Sequence, residues 1–109
     1  MSGIFSAAAD FNADLSKWDT SRVTTMQEMF RSASAFNADL SKWDASRVTS
    51  MYYMFYNATQ FNADLSKWDT SQVRRMDNMF YFATSFCYKS RSPQLNGDTI
   101  GWNRGAKNC

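Results

Sequence analysis

The chain is predicted to fold as a repeat solenoid of about four turns. Two observations predict this. The string FNADLSKWD recurs at Phe11, Phe36 and Phe61, a constant 25 residues apart. Around it, apolar residues recur in the same phase, as in Phe5/Phe30/Phe55/Phe80, Phe11/Phe36/Phe61/Phe86 and Met26/Met51/Met76. Self-similarity at a period of roughly 20–50 residues marks stacked repeats, in which no single repeat can bury its own apolar face. The solenoid is assigned to residues 1–86 and a capping segment to residues 87–109.

Each turn is read as a short strand or extended segment followed by a short helix. In the second repeat, Val48, Met51, Met54, Phe55 and Ala58 keep the spacing of one helical face. Asp44 or Ser46 stands where an N-cap belongs, and Ser21 and Ser71 repeat the position. The alternation around Ala38–Ser41 suggests a short strand, pairing in parallel with its copies at about 4.8 Å. The inward columns also include Leu15/Leu40/Leu65, Trp18/Trp43/Trp68, Val23/Val48/Val73, Met29/Met54/Met79 and the small Ala8/Ala33/Ala58/Ala83.

Polar columns repeat as faithfully: Asn12/Asn37/Asn62, Asp14/Asp39/Asp64 and Asp19/Asp44/Asp69. Asn and Asp hydrogen-bond the backbone at turns. A calcium ladder is the other reading, but the glycine spacing of calcium solenoids is missing and Lys17, Lys42 and Lys67 offset the acids. An ice-binding array would need unbroken threonines, which Ala45 and Arg74 interrupt.

After Phe86 the pattern fails. The stretch SRSPQLNGD holds the single Pro and an Asn96-Gly97 turn signal. Trp102 then reads as a late, degenerate copy of the Trp corner. Cys87 and Cys109, the only cysteines, bracket this segment. They form either a disulfide clamping the irregular end or a pair of free thiols. A disulfide favours an oxidising compartment, an organellar lumen or the cell exterior.

At the other end, MSGIFSAAADF lacks a basic n-region and an apolar h-region and is not read as a signal peptide. It starts in mid-repeat, so that end is either a processed or truncated boundary or is covered by something else.

The chain has no His, which removes Ser-His-Asp and Cys-His catalysis and His-bearing metal sites. No phosphate-binding glycine pattern is present. The expectation is a non-enzyme without cofactor or metal. A net charge of +2 with interspersed signs gives no footprint for nucleic acid. No apolar run is long enough to span a bilayer.

Repeated positions build the fold, so function is sought where the copies differ. Tyr52, Tyr53, Tyr56, Tyr81 and Phe82, flanked by Arg74 and Arg75, form the candidate partner-binding face on the helix side. Tyr and Arg are the residues enriched at interface hot spots. Alternatively, some of the tyrosines pad the space between neighbouring repeats. The one N-x-T sequon, Asn57-Ala58-Thr59, places an inward Ala at its centre.

The strings WDTSRVTTMQEMF and WDASRVTSMYYMF, each preceded by FNADLS, are distinctive. They resemble the BspA-type leucine-rich-repeat-like family of bacterial surface proteins and mycoplasma lipoproteins, whose repeats also abound in microalgae. The resemblance covers residues 1–86 and implies a leucine-rich-repeat-like solenoid, with adhesion or surface display in the bacterial members and no catalytic residues or cofactor. The Phe and Trp in FNADLSKWD look more like the algal versions. The expected function is therefore a protein-interaction scaffold binding another protein or a multi-subunit complex. The alternative is a permanent peripheral subunit of a larger assembly, such as an algal photosynthetic membrane complex.

Overall fold

A hydrogen-bond ladder between successive repeats organises the whole chain. The computed structural model describes residues 1–109. From one repeat to the next, Glu28 N–H donates to Tyr52 C=O, Phe30 to Met54 and Ser32 to Tyr56. Tyr53, Phe55 and Asn57 then donate in the same way to Asp77, Met79 and Tyr81. The intervening amides are used within the repeat. Met29 donates to Met26, Arg31 to Glu28 and Ala33 to Phe30, each closing a four-residue turn. Alternate amides therefore point along the stack and around it.

This partition overturns the expected solenoid of strand-and-helix turns. An α-helix needs every amide to bond the carbonyl four residues back, and here half of them leave the segment. The residues 48–58 read as helical form consecutive turns instead. Each run also holds two residues in left-handed backbone, Glu28 and Ser32, Tyr53 and Asn57, then Asn78 and Phe82. Such residues cannot sit inside a right-handed helix. The one helix, α1 (Tyr88–Arg91), lies after the repeats.

The strand expected around residues 38–41 is absent as well. Parallel pairing occurs in the other half of the repeat, as isolated bridges Thr25–Ser50, Ser50–Arg75 and Arg75–Asp98, with no sheet. The product is a compact globule of stacked turns measuring 28 × 28 × 21 Å. Its radius of gyration, 12.1 Å, is that of an ordinary globular domain of this length, for which about 13 Å is expected.

The apolar columns meet along the stack. Within a repeat Phe30 lies face to face with Phe36 at 4.0 Å, and Phe55 with Phe61 at 3.9 Å. Between repeats Phe30, Phe55 and Phe80 follow at 5.4 and 5.5 Å, nearly coplanar in orientation. These offset parallel stacks suit the ring quadrupoles. Trp43 and Trp68 are buried, and their indole N–H groups donate to Leu15 and Leu40 C=O one repeat back. Ala33, Ala58 and Ala83 are fully buried, in positions where the backbone folds closely.

The polar columns hold the corners. Asn12 Oδ1 accepts from Asn37 N–H, Asn37 Oδ1 from Asn62 N–H and Asn62 Oδ1 from Cys87 N–H. Asp14, Asp39 and Asp64 accept from the amides of Ser16, Ser41 and Ser66. Asp19, Asp44 and Asp69 serve Ser21, Ser46 and Ser71 in the same way. The serines expected to be helix N-caps are thus donors in Asp-centred turns.

Residues 98–106 supply one further run of turns. Asn78, Phe80 and Phe82 N–H donate to Ile100, Trp102 and Arg104 C=O. Trp102 is therefore not a displaced Trp corner. It stands in register with Met79, half-buried and edge-on to Phe80 and Tyr88. Gly97 is needed for this crossing, because a Cβ there would collide with the Arg74 backbone. Cys87 and Cys109 are joined in a disulfide, and Tyr88 N–H donates to Lys107 C=O beside it.

Hydrogen bonds from the Ser16 amide, Ser41 amide and Ser66 side chain hold Asp14, Asp39 and Asp64 below the usual 3.8. The hydroxyls of Ser21, Ser46 and Ser71 lower Asp19, Asp44 and Asp69 likewise. A carboxyl depressed on folding contributes stability that is present above its unfolded pKa and lost as pH falls through the folded one. The melting temperature is therefore expected to hold from neutrality down to about pH 4–5 and then drop. Replacing Asp19, Asp44 and Asp69 by Asn keeps the acceptor and should flatten that drop, as read by thermal melts across pH. The disulfide spans 22 residues, so Cys109→Ser is expected to lower the unfolding free energy by about 3 kcal/mol, measured by urea titration. Hydrogen exchange should rise first in residues 98–107.

Candidate interaction face

The run of turns gives each repeat an outward side, and the copies differ there. In register along the stack stand Arg31, Tyr56, Tyr81 and Arg104, joined through the interlayer bonds of their backbone. Their side chains form a column. The Arg31 guanidinium lies 5.1 Å from the Tyr56 ring centre, Tyr56 stacks on Tyr81 at 5.1 Å, and Arg104 lies 5.9 Å from Tyr81. Two cations thus bracket two parallel tyrosines, with cation–π attraction at each end.

Around this column the other aromatics close in. Tyr53 packs against Tyr56 at 5.2 Å and edge-on to Tyr52 at 5.4 Å, while Phe82 meets Tyr81 at 4.4 Å. Arg75 lies 4.2 Å above Tyr52 and is fixed there by a two-pronged pair with Asp77, at 3.1 and 3.0 Å. The same pairing raises the Arg75 pKa above its ordinary value. Arg31 is held likewise by Glu28 at 2.8 Å. The guanidinium planes are oriented before any partner arrives, so less side-chain freedom is left to lose on binding.

Of the seven residues expected to form this face, the structure brings six together: Tyr52, Tyr53, Tyr56, Arg75, Tyr81 and Phe82. Arg74 does not join them. It lines a shallow groove with Thr49, Gln72, Val73 and Gly97. Arg75 is bridged to Ser50 and reaches over the Tyr52 ring, while its neighbour Arg74 lines the groove. The face is flanked by turns, not by helices. Arg31 belongs to it and was visible as the residue 25 positions before Tyr56. Arg104 was hidden, because the last run follows its predecessor by 23 residues. The tyrosines also fill space between repeats: all four are half-buried, whereas Phe82 is 46% exposed.

Two of these aromatics occupy left-handed backbone, Tyr53 at φ 57° and Phe82 at φ 56°. Elsewhere the same two columns carry Gly3, Ala7, Glu28, Ser32, Asn57, Asn78, Gly101 and Gly105. A left-handed residue with a Cβ is disfavoured by roughly 1–2 kcal/mol, and Asn or Gly suffers least. The fold does not ask for an aromatic at either place. The Phe82 ring lies directly against Gly105, where a Cβ would come within 2.6 Å of it.

No cluster of three or more His, Cys, Asp or Glu is placed to hold an ion anywhere in the chain. No helix is long and apolar enough to cross a membrane.

Tyr53→Asn is expected to leave stability within about 0.5 kcal/mol of the parent or to raise it. The neighbouring Met54→Ala, in the core, should lose about 2–5 kcal/mol. Urea titration of the two variants checks the contrast.

Comparison with known proteins gives a family but no described function. The model of the family described as Mycoplasma protein of unknown function, DUF285, matches residues 1–93. No curated protein and no solved structure matches the chain. The matched span takes in every repeat together with α1, so the chain belongs to this DUF285 family of mycoplasma proteins.

Proposed function

We propose that the chain is a non-enzymatic scaffold that binds another protein through Tyr52, Tyr53, Tyr56, Arg75, Tyr81 and Phe82, with Arg31 and Arg104 at the rim. The observation that carries this reading is the strained pair Tyr53 and Phe82. Backbone strain kept where a cheaper residue would serve points to a role outside folding. The composition agrees, since Tyr and Arg dominate interface hot spots. The arginines and their acids largely neutralise each other, so the partner need not be strongly charged. A nucleic acid, which demands unpaired cations along its phosphates, fits this face poorly.

Within the mycoplasma family, the WDTSRVTTMQEMF and WDASRVTSMYYMF strings support a BspA-type relation, and with it adhesion or surface display. The disulfide supports an oxidising compartment, a lumen or the cell exterior. A second reading, a permanent structural subunit of a larger complex, draws support from Ile100. This residue is 77% exposed in the column of Tyr52 and Asp77 and extends the apolar surface. Permanent interfaces are the more hydrophobic kind.

The double variant Tyr53→Ala/Tyr56→Ala tests the scaffold. Partner capture under non-reducing conditions should weaken by about tenfold or more with the far-UV spectrum unchanged; undiminished capture would discard this face. A partner that exchanges on dilution marks a scaffold. One that stays stoichiometric, and whose removal leaves the chain insoluble, marks the permanent subunit.

A further inference from the structure

The hydrogen-bonding groups on the outward aromatic face are divided by type. The amides of Tyr53, Tyr56, Tyr81 and Phe82 donate to the carbonyls of Asp77, Tyr53, Asn78 and Arg104, so this backbone is already paired inside the chain. The carboxylates are engaged too. Glu28 Oε1 accepts from Arg31 at 2.8 Å, and both Asp77 oxygens accept from Arg75. What is left for a ligand is chiefly donors. The hydroxyls of Tyr52, Tyr53, Tyr56 and Tyr81 have no partner in the chain and none is buried, so all four O–H groups open at the surface. Arg31 and Arg75 keep guanidinium N–H groups beyond those their acids hold.

This pattern selects among the ways in which a protein segment docks. An added β-strand needs a row of free backbone amides, and the amides here are taken. A phosphorylated or acidic segment needs arginines free of acids, and Arg75 is gripped by Asp77. An amphipathic helix needs an apolar groove, and the four grooves of the chain all lie elsewhere. A proline-rich segment fits what remains. In polyproline II conformation it has no internal hydrogen bonds, its carbonyls are exposed acceptors, and proline brings no N–H to satisfy. Its rings pack on aromatic side chains, supplied here by Phe82, 46% exposed, and by Tyr53, set at 73° to Tyr52 and 57° to Tyr56. One turn of such a segment, about 9 Å, spans two layers of the ladder at about 4.8 Å each. Carbonyls on one side of it therefore recur in step with every second layer.

Resting on the side-face reading above, we infer that the partner docks through a proline-rich segment in polyproline II conformation. The segment lies along the stack over Tyr53, Tyr56 and Tyr81, with Phe82 at its edge. The tyrosine hydroxyls donate to its carbonyls. The rings of Tyr53 and Phe82, carried on left-handed backbone, receive its prolines. Because the segment is ordered before it binds, little of its freedom is lost on docking.

Selection of displayed peptides on the intact, oxidised chain tests it, with one library carrying fixed Pro-x-x-Pro and a second carrying Ala at the same places. The proline library should be enriched about tenfold or more over the alanine one. Equal enrichment, no enrichment in either, or a preference for phosphorylated peptides in a parallel selection would overturn the proposal. A selected proline-rich peptide is then titrated by calorimetry. Tyr53→Phe/Tyr81→Phe keeps both rings and removes the hydroxyls, and should weaken binding about tenfold or more; an unchanged Kd would refute the docking. Arg74→Ala, in its separate groove, should leave the Kd unchanged, and an equal loss there would place the peptide off the aromatic face. The two readings fail separately. Undiminished partner capture by Tyr53→Ala/Tyr56→Ala discards the face and its occupant together. Capture that is lost in that variant, but not competed by the selected peptide, keeps the face and discards the proline-rich occupant.

Discussion

The interlayer ladder, in which alternate amides of one repeat donate to carbonyls of the next, is the constraint from which the other features follow. It consumes half of the backbone donors in each run, so a helix cannot form there. The remaining amides close short turns, and those turns require left-handed residues at fixed places. The ladder also sets the distance between copies of a side chain. Phe rings at 5.4–5.5 Å and Tyr56 on Tyr81 at 5.1 Å are what strand-like backbone spacing allows for offset parallel rings.

Because the inward positions are tied to this spacing, they tolerate little variation. Ala58 and its copies sit where a larger side chain would push the layers apart. The outward side of each run is freer, and the only strict demand there is conformational. Placing Tyr53 and Phe82 at left-handed positions works against the fold's own preference, which separates these residues from Tyr56 and Tyr81, whose backbone is not left-handed. The aromatic face has a structural part, the column between Arg31 and Arg104, and a strained part beside it.

The last run shows how much of the architecture is backbone and how little depends on the consensus side chains. Residues 98–106 lack the Phe pair and the Trp corner, yet they take the same turns and the same interlayer bonds. Trp102 moves into the Met79 register to cover Phe80, glycines take both left-handed positions, and the Cys87–Cys109 bond ties the run to α1. Its shortened spacing is why Arg104 escaped notice as the fourth member of the tyrosine column.

By itself the sequence determined the 25-residue phase, the inward columns, the Asp and Asn turns and the cysteine pair, because each is a statement about identity and spacing. Of the seven residues it pointed to on the outward face, six meet there, and Arg31 and Arg104 join them. It did not determine the path of the backbone. Met26, Met29, Phe30 and Ala33 have the i, i+3, i+4, i+7 spacing of an amphipathic helix, and a run of turns with a left-handed residue every four positions buries the same four. Periodicity cannot tell these apart. The choice was made by where the amides find acceptors, and those acceptors lie one repeat away. The same long-range pairing separated Arg74 from Arg75 and brought Arg104 beneath Tyr81, since neighbours across layers are set by register and not by distance along the chain.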